Sequence, residues 1–173
     1  MTDLLRLPTF TDHDHFHVVV ESPRGSRVKL KYDAGLGAMS ISRPLALGVS
    51  YPYDWGFVPS TRGPDGDPID ALIFWDVATF PGVVVPCRAI GVVQIEQKDP
   101  NHGDRRERND RVIAVPREDR RASVHAVDAL SGRLRDELAH FFMAAAVLEG
   151  KDPRIVGWDG PVAALQLIQN TTV

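Results

Sequence analysis

Between residues 15 and 116 the chain is written in short apolar runs, "HFHVVVES", "SRVKLKYD", "AMSIS", "DALIFWD", "VVVPCRAIGVVQIE" and "RVIAVP", separated by Gly, Pro and Asp. Runs of this kind predict strands. In "RVKLKYD" the alternation puts Val28, Leu30 and Tyr32 on one face and Lys29 and Lys31 on the other, which suits a strand packed on one side. The period changes after Ser131. Leu134, Leu138, Phe141, Phe142, Ala145 and Leu148 follow helical spacing, with Ser131 placed as the N-cap and Gly150 just past the end. "DGPVAALQLIQ" predicts a second helix with Pro161 in its first turn. Strands first and helices afterwards define an α+β fold, a curved sheet or small barrel covered by helices. The polar stretch 96–111, "EQKDPNHGDRRERNDR", reads as a long exposed loop between two strands.

With 173 residues the chain supports one core of ordinary size, whereas two domains would each be marginal. A single domain over 1–173 is expected. Apolar residues make up 43%, charged residues 25%, and the net charge is −3, so no broad electrostatic footprint for nucleic acid or membrane is present. The N-terminal "MTDLLRLPTFTDHDHFH" carries neither a signal sequence nor an Arg-rich presequence, and a cytoplasmic location is expected. Cys87 is the only cysteine. A lone cysteine excludes an intrachain disulfide, and its apolar run suggests a buried thiol.

The segment "STRGPDGDPIDALIFWD" crowds Asp65, Asp67 and Asp70 around Gly66 and Pro68. A single Asp-Gly is an ordinary hairpin turn. Three neighbouring acids repel one another unless a base, water or a cation offsets the charge. Gly66 permits a tight bend and Pro68 fixes φ, so the carboxylates can be aimed at one point. An EF-hand is excluded, because a loop starting at Asp65 would place Asp70 where that motif needs glycine. Ligands that are all oxygen favour Mg²⁺ or Mn²⁺ over zinc.

Together, "DGDPID" (65–70), "YPYDWGFVPS" (51–60) and "VVVESPRGSRVKLKYD" (18–33) resemble the soluble inorganic pyrophosphatases of family I, whose signature D-[SGDN]-D-[PE]-[LIVMF]-D is satisfied at every position. The resemblance runs from about residue 15 through "AHFF" at 139–142 to "GW" at 157–158. It implies a five-stranded OB-like β-barrel with helices packed outside, and Mg²⁺-dependent hydrolysis of pyrophosphate by a homo-oligomer, a hexamer or trimer. By position it implies Asp65, Asp70 and Glu21 as metal ligands, Asp67 as the base or water-positioning group, Tyr51 as its support, and Lys29, Arg43 and Arg111 as phosphate ligands.

The same positions show departures from the family pattern. Lys31 stands where a glutamate is usual, Trp55 replaces a tyrosine, Gln97 and Asn109 replace aspartates, Arg111 replaces a lysine, and Ala145 and Ala146 replace a Tyr-Lys pair. Lys31 either acts as a fixed cation in place of a metal or points to solvent. Glu96, Asp99, Asp104 or Asp110 could supply a displaced carboxylate, although Asp110 would need a bulge to reach the face of Asn109. Two alternatives follow from these losses: a non-catalytic homologue that binds a phosphorylated ligand or a protein, and a hydrolase of a larger phosphate ester. Elsewhere, His13, His15 and His17 alternate at zinc-compatible spacing but fit a terminal surface segment better, and His140 reads as a packed core residue.

Overall fold

The computed structural model describes residues 2–99, 102–119 and 123–173. Its strands are β1 (His15–Ser22), β2 (Val28–Asp33), β3 (Ala38–Pro44), β4 (Asp54–Phe57), β5 (Asp70–Ile73), β6 (Val84–Lys98), β7 (Arg106–Arg108), β8 (Arg111–Pro116) and β9 (Arg154–Asp159). Two helices follow the main strands, α1 (Gly132–Ala146) and α2 (Pro161–Thr171), with β9 between them.

Five strands close on themselves in the order β1-β4-β5-β8-β6 and back to β1. All of these pairings are antiparallel except β5 with β8. Closure leaves the ring without an exposed edge. The long strand β6 makes this possible. Its first half pairs with β1. β8 pairs with its middle, from Cys87 to Val93 across the irregularity between Ala89 and Gly91, and its second half goes on to pair with β9 and β7. β2 and β3 form a separate two-stranded ribbon.

The barrel strands are buried on both sides, which explains their nearly continuous apolar runs. Ala71, Ile73, Val112 and Ala114 pack with Ala164 and Ile168 of α2. Their neighbours Leu72, Ile113 and Val115 turn the other way and pack with Leu138, Phe141 and Phe142 of α1. Alternation therefore assigns one helix to each side of the strand layer. Ser131 caps α1 as expected, its Oγ accepting the Leu134 amide at 3.2 Å, and Pro161 occupies the first turn of α2.

Four sequence expectations need correction. The stretch 96–111 is not one loop, because β6 extends through Lys98 and pairs with β7; Pro100 and Asn101 lie outside the described residues. The short strands β4 and β9 were not anticipated. Leu148 falls beyond α1 and is exposed. His140 is exposed rather than packed, its Nδ1 donating to the Asp136 carbonyl at 2.8 Å. Cys87 is buried, and burial pushes its thiol pKa up. Among the described residues no helix is long and apolar enough to cross a membrane.

Candidate active site

The acidic turn is built from its own backbone. Gly66 takes φ of +85°, its amide donates to the Gly63 carbonyl at 3.0 Å, and the Gly63 amide donates to the Asp67 carbonyl at 2.7 Å. Asp65 Oδ1 accepts the Asp67 amide at 3.1 Å. Thr61 Oγ1 accepts the Ile69 amide at 3.0 Å, which ties the turn to the barrel just before Asp70 opens β5. The sharp bend requires glycine at 66, and the carboxylates are left free to face one cleft.

That cleft is lined by Lys29, Lys31, Arg43, Tyr51, Asp65, Asp67, Asp70 and Arg111, so the structure brings together all but one of the residues to which the resemblance assigns a metal, catalytic or phosphate role. The exception is Glu21, buried on β1 and not one of the lining residues. Its Oε1 accepts the Tyr32 amide at 2.9 Å. Burial nevertheless pushes its carboxyl up to about 7, with the charge of Asp70 adding to the effect.

Each remaining side chain owes its position to an identifiable partner. Asp70 and Arg111 are register neighbours on the parallel pair β5 and β8, and Arg111 Nη1 lies 2.9 Å from Asp70 Oδ2. The guanidinium stands 5.5 Å over the Trp55 ring and also donates to the Asn109 carbonyl at 2.9 Å and to its side-chain oxygen. The tryptophan at 55 thus holds this guanidinium by a cation–π contact. Tyr51 packs edge-on to Phe141 at 5.2 Å. Burial pushes its phenol up to about 12, so it remains a neutral donor at ordinary pH.

Lys31, though partly exposed, is held at the cleft by an acid. Its Nζ lies 2.7 Å from Asp67 Oδ2. Burial opposes its charge, but Asp67, Asp70 and Glu21 outweigh that and raise its pKa. None of the four carboxylates considered as replacements lines the cleft. Asp110 accepts from Arg108 at 3.0 and 2.9 Å and from the Ile95 amide at 3.0 Å, as strand alternation predicts. Glu96 faces Arg106 at 4.0 Å, Asp104 faces Lys98 at 3.9 Å, and Asp99 pairs with His102.

Three further residues escaped sequence reasoning. Glu107 on β7 accepts from Gln97 Nε2 at 3.1 Å, a contact that required the unrecognised β6-β7 pairing. Glu149 and Lys151 line the cleft beside Ala145 and Ala146. The charges in "LEGK" at the helix end were the available signal.

The acidic end has the chemistry a hard cation needs. Burial raises the pKa of Asp65, and the carboxylates of Asp70 and Asp67 add to that rise, so the ionised oxygens lack full compensation. Among the described residues, however, no three His, Cys, Asp or Glu side chains are already gathered around one point. Lys31 and Arg111 hold Asp67 and Asp70 instead. The donor set fits Mg²⁺ or Mn²⁺, with these two cations as competitors. The histidines at 13, 15 and 17 form no such group either: His15 pairs with Asp12 at 2.8 Å and His17 donates to the Pro8 carbonyl at 2.6 Å.

Fold and cleft define a protein that sets carboxylates against bases on the outside of a closed five-stranded barrel. The sequence model of the family described as inorganic pyrophosphatase matches residues 18–173. The chain is 35% identical to the inorganic pyrophosphatase of Synechocystis sp. over 96% of its length and 95% of that protein. It is 38% identical to that of Thermus thermophilus, covering 88% of this chain and 86% of the relative. The crystal structure of the Thermus thermophilus enzyme superimposes with a TM-score of 0.89 at 33% identity, covering 99% of this chain and 97% of that one. The structure from Coxiella burnetii gives 0.85 at 32% identity, covering 96% and 98%. The chain belongs to the inorganic pyrophosphatase family.

Proposed function

We propose that this cleft hydrolyses inorganic pyrophosphate to two phosphates with Mg²⁺, Mn²⁺ being the natural substitute. The observation that carries the reading is one cleft in which Asp65, Asp67 and Asp70 face Lys29, Arg43 and Arg111. Asp65 and Asp70 are the residues that would hold the cation, and Glu21, outside the cleft lining but within the field of Asp70, would add its charge from β1. Once bound, it would supply charge to the phosphates and acidify water.

The chain's own groups do the rest. Lys29 and Arg43 bind phosphate oxygens, and Arg111 reaches them from its perch over Trp55. Asp67, steadied by Lys31 at 2.7 Å, accepts the proton of the attacking water. Tyr51, a neutral hydroxyl, donates into the same space. We further infer that the 173 residues act as one domain, as a cytoplasmic homo-oligomer, a hexamer or trimer. The relatives described above are all inorganic pyrophosphatases, which lends no support to a purely binding role or a larger ester substrate.

The test is phosphate release from pyrophosphate with Mg²⁺, run beside Asp67→Asn. Loss of a positioned general base lowers the rate by about 10²-fold or more. Equal release by both folded proteins, after repurification to remove any contaminating pyrophosphatase, would show that Asp67 is not the base.

A further inference from the structure

The cationic wall of the cleft already holds an anion. Lys29 and Arg43 are direct register partners across the β2-β3 ribbon, a like-charge pair that destabilises the ribbon unless something negative sits against it. In this chain that group is Glu149. Its Oε1 accepts from Arg43 Nη2, its Oε2 lies 3.3 Å from Lys151 Nζ, and its charge acts on Lys29. Burial opposes the ionised form of Glu149, yet Lys29, Lys151 and Arg43 together hold its carboxyl below the ordinary range. A carboxylate paired with two cations and close enough to act on a third offers them what a phosphate group offers through its own oxygens.

We propose that Glu149 is the specificity-determining occupant of the phosphate seat: its carboxylate fills the seat between turnovers, and a phosphate group binds by taking Arg43 and Lys151 from it beside Lys29. The identity of the incoming group rests on the pyrophosphatase reading above. The backbone around Glu149 allows the exchange by side-chain rotation alone. The Lys98 amide donates to the Lys151 carbonyl at 2.6 Å, and Arg106 donates to the Asp152 carbonyl at 2.6 Å, so the turn after Glu149 is anchored to β6 and β7. Gly150, at φ of +67°, supplies the bend. A singly charged placeholder yields to an anion of higher charge and holds its own against a monoanion. The seat therefore rejects small monoanions, and the returning carboxylate helps expel product phosphate.

The experiment is calorimetric titration of inorganic phosphate into metal-free protein, comparing the unaltered chain with Glu149→Gln, which keeps the shape and removes the charge. Glu149→Gln is expected to bind phosphate at least about tenfold more tightly, with a lower KM for pyrophosphate and stronger inhibition by phosphate. Equal or weaker binding in the variant overturns the proposal, because the carboxylate would then be holding the cations in place rather than occupying their site. Absence of phosphate binding in both proteins overturns it as well. If Glu149→Gln does not fold by circular dichroism, Glu149→Asp, which keeps the charge on a shorter arm, replaces it with the same readings and an intermediate gain expected. Phosphate binding is read without turnover, so tighter binding without pyrophosphate hydrolysis would refute the hydrolase reading alone.

Discussion

The two ends of the cleft are built by different means. The acid end grows from the barrel: Asp70 begins β5, Asp65 and Asp67 sit in a turn tied to it, and Arg111 stands opposite on β8. The base end is assembled from a two-stranded ribbon, the last turn of α1 and the turn that follows it. The three acids of the turn all line the cleft at the barrel end, whereas at the helix end Ala145 and Ala146 bring it no charge. A closed sheet fixes side-chain positions by strand register, so each residue there is tightly specified. A helix end and a turn are less tightly specified, and in this chain the charges beside the two alanines are those of Glu149 and Lys151.

The hardest way to break this contrast is to open the barrel. A Cβ on Gly56 would lie 1.9 Å from the Val19 carbonyl oxygen, on the strand paired with it. No side chain can relieve a backbone clash inside a closed ring. Gly56→Ala is expected to lower stability by at least about 3 kcal/mol, seen as a fall in melting temperature of about 6 °C or more. A melt unchanged within a degree would mean that β4 yields easily, and that the acid end is no more rigidly built than the base end.

Gly56 also shows where sequence reading stops. β4 is a four-residue strand, "DWGF", with no alternation to announce it. Its first residue is buried because Asp54 accepts from the Arg24 amide at 2.7 Å and from Thr79 Oγ1 at 2.7 Å, partners far away in sequence. β9 was hidden for a similar reason: Gly157 breaks its pattern, and its place on β6 depends on a close approach to Gln94. By contrast, the strands that became β1, β5, β6 and β8 carried continuous apolar runs, and the acidic turn carried its glycine, its proline and its charges in six residues. Local chemistry was legible. Pairings set by distant partners, among them Gln97 with Glu107 and Arg43 with Glu149, were not.

Lys31 offers a sharper test at the acid end. Its ammonium lies 2.7 Å from Asp67 and within the field of Asp70 and Glu21, where it competes with a divalent cation for the same carboxylates. Lys31→Glu replaces a competitor with a further oxygen donor. Mn²⁺ titration followed by electron paramagnetic resonance should show about one additional ion bound per chain, with the tightest site strengthened about tenfold. The same count in both proteins would mean that Lys31 displaces no metal and serves only to orient Asp67.

The smallest effect is expected from restoring charge at the base end. Ala146 closes α1 and lines the cleft, so Ala146→Lys places an ammonium within reach of the phosphate seat. In an empty cationic seat a new charge-assisted phosphate bond would contribute about 1.5 to 3 kcal/mol, which corresponds to more than about tenfold in affinity. This seat is not empty: Arg43 and Lys151 already converge on Glu149. A further ammonium is repelled by these cations and drawn to the same carboxylate, so most of its interaction is made before phosphate arrives. The gain in phosphate affinity should therefore remain below about threefold in the unaltered background, and exceed about tenfold when Glu149→Gln is combined with it. A full gain from Ala146→Lys alone would show that the two ends differ only in which residues were lost, and that the turn carrying Glu149 has no part in deciding what the cleft binds.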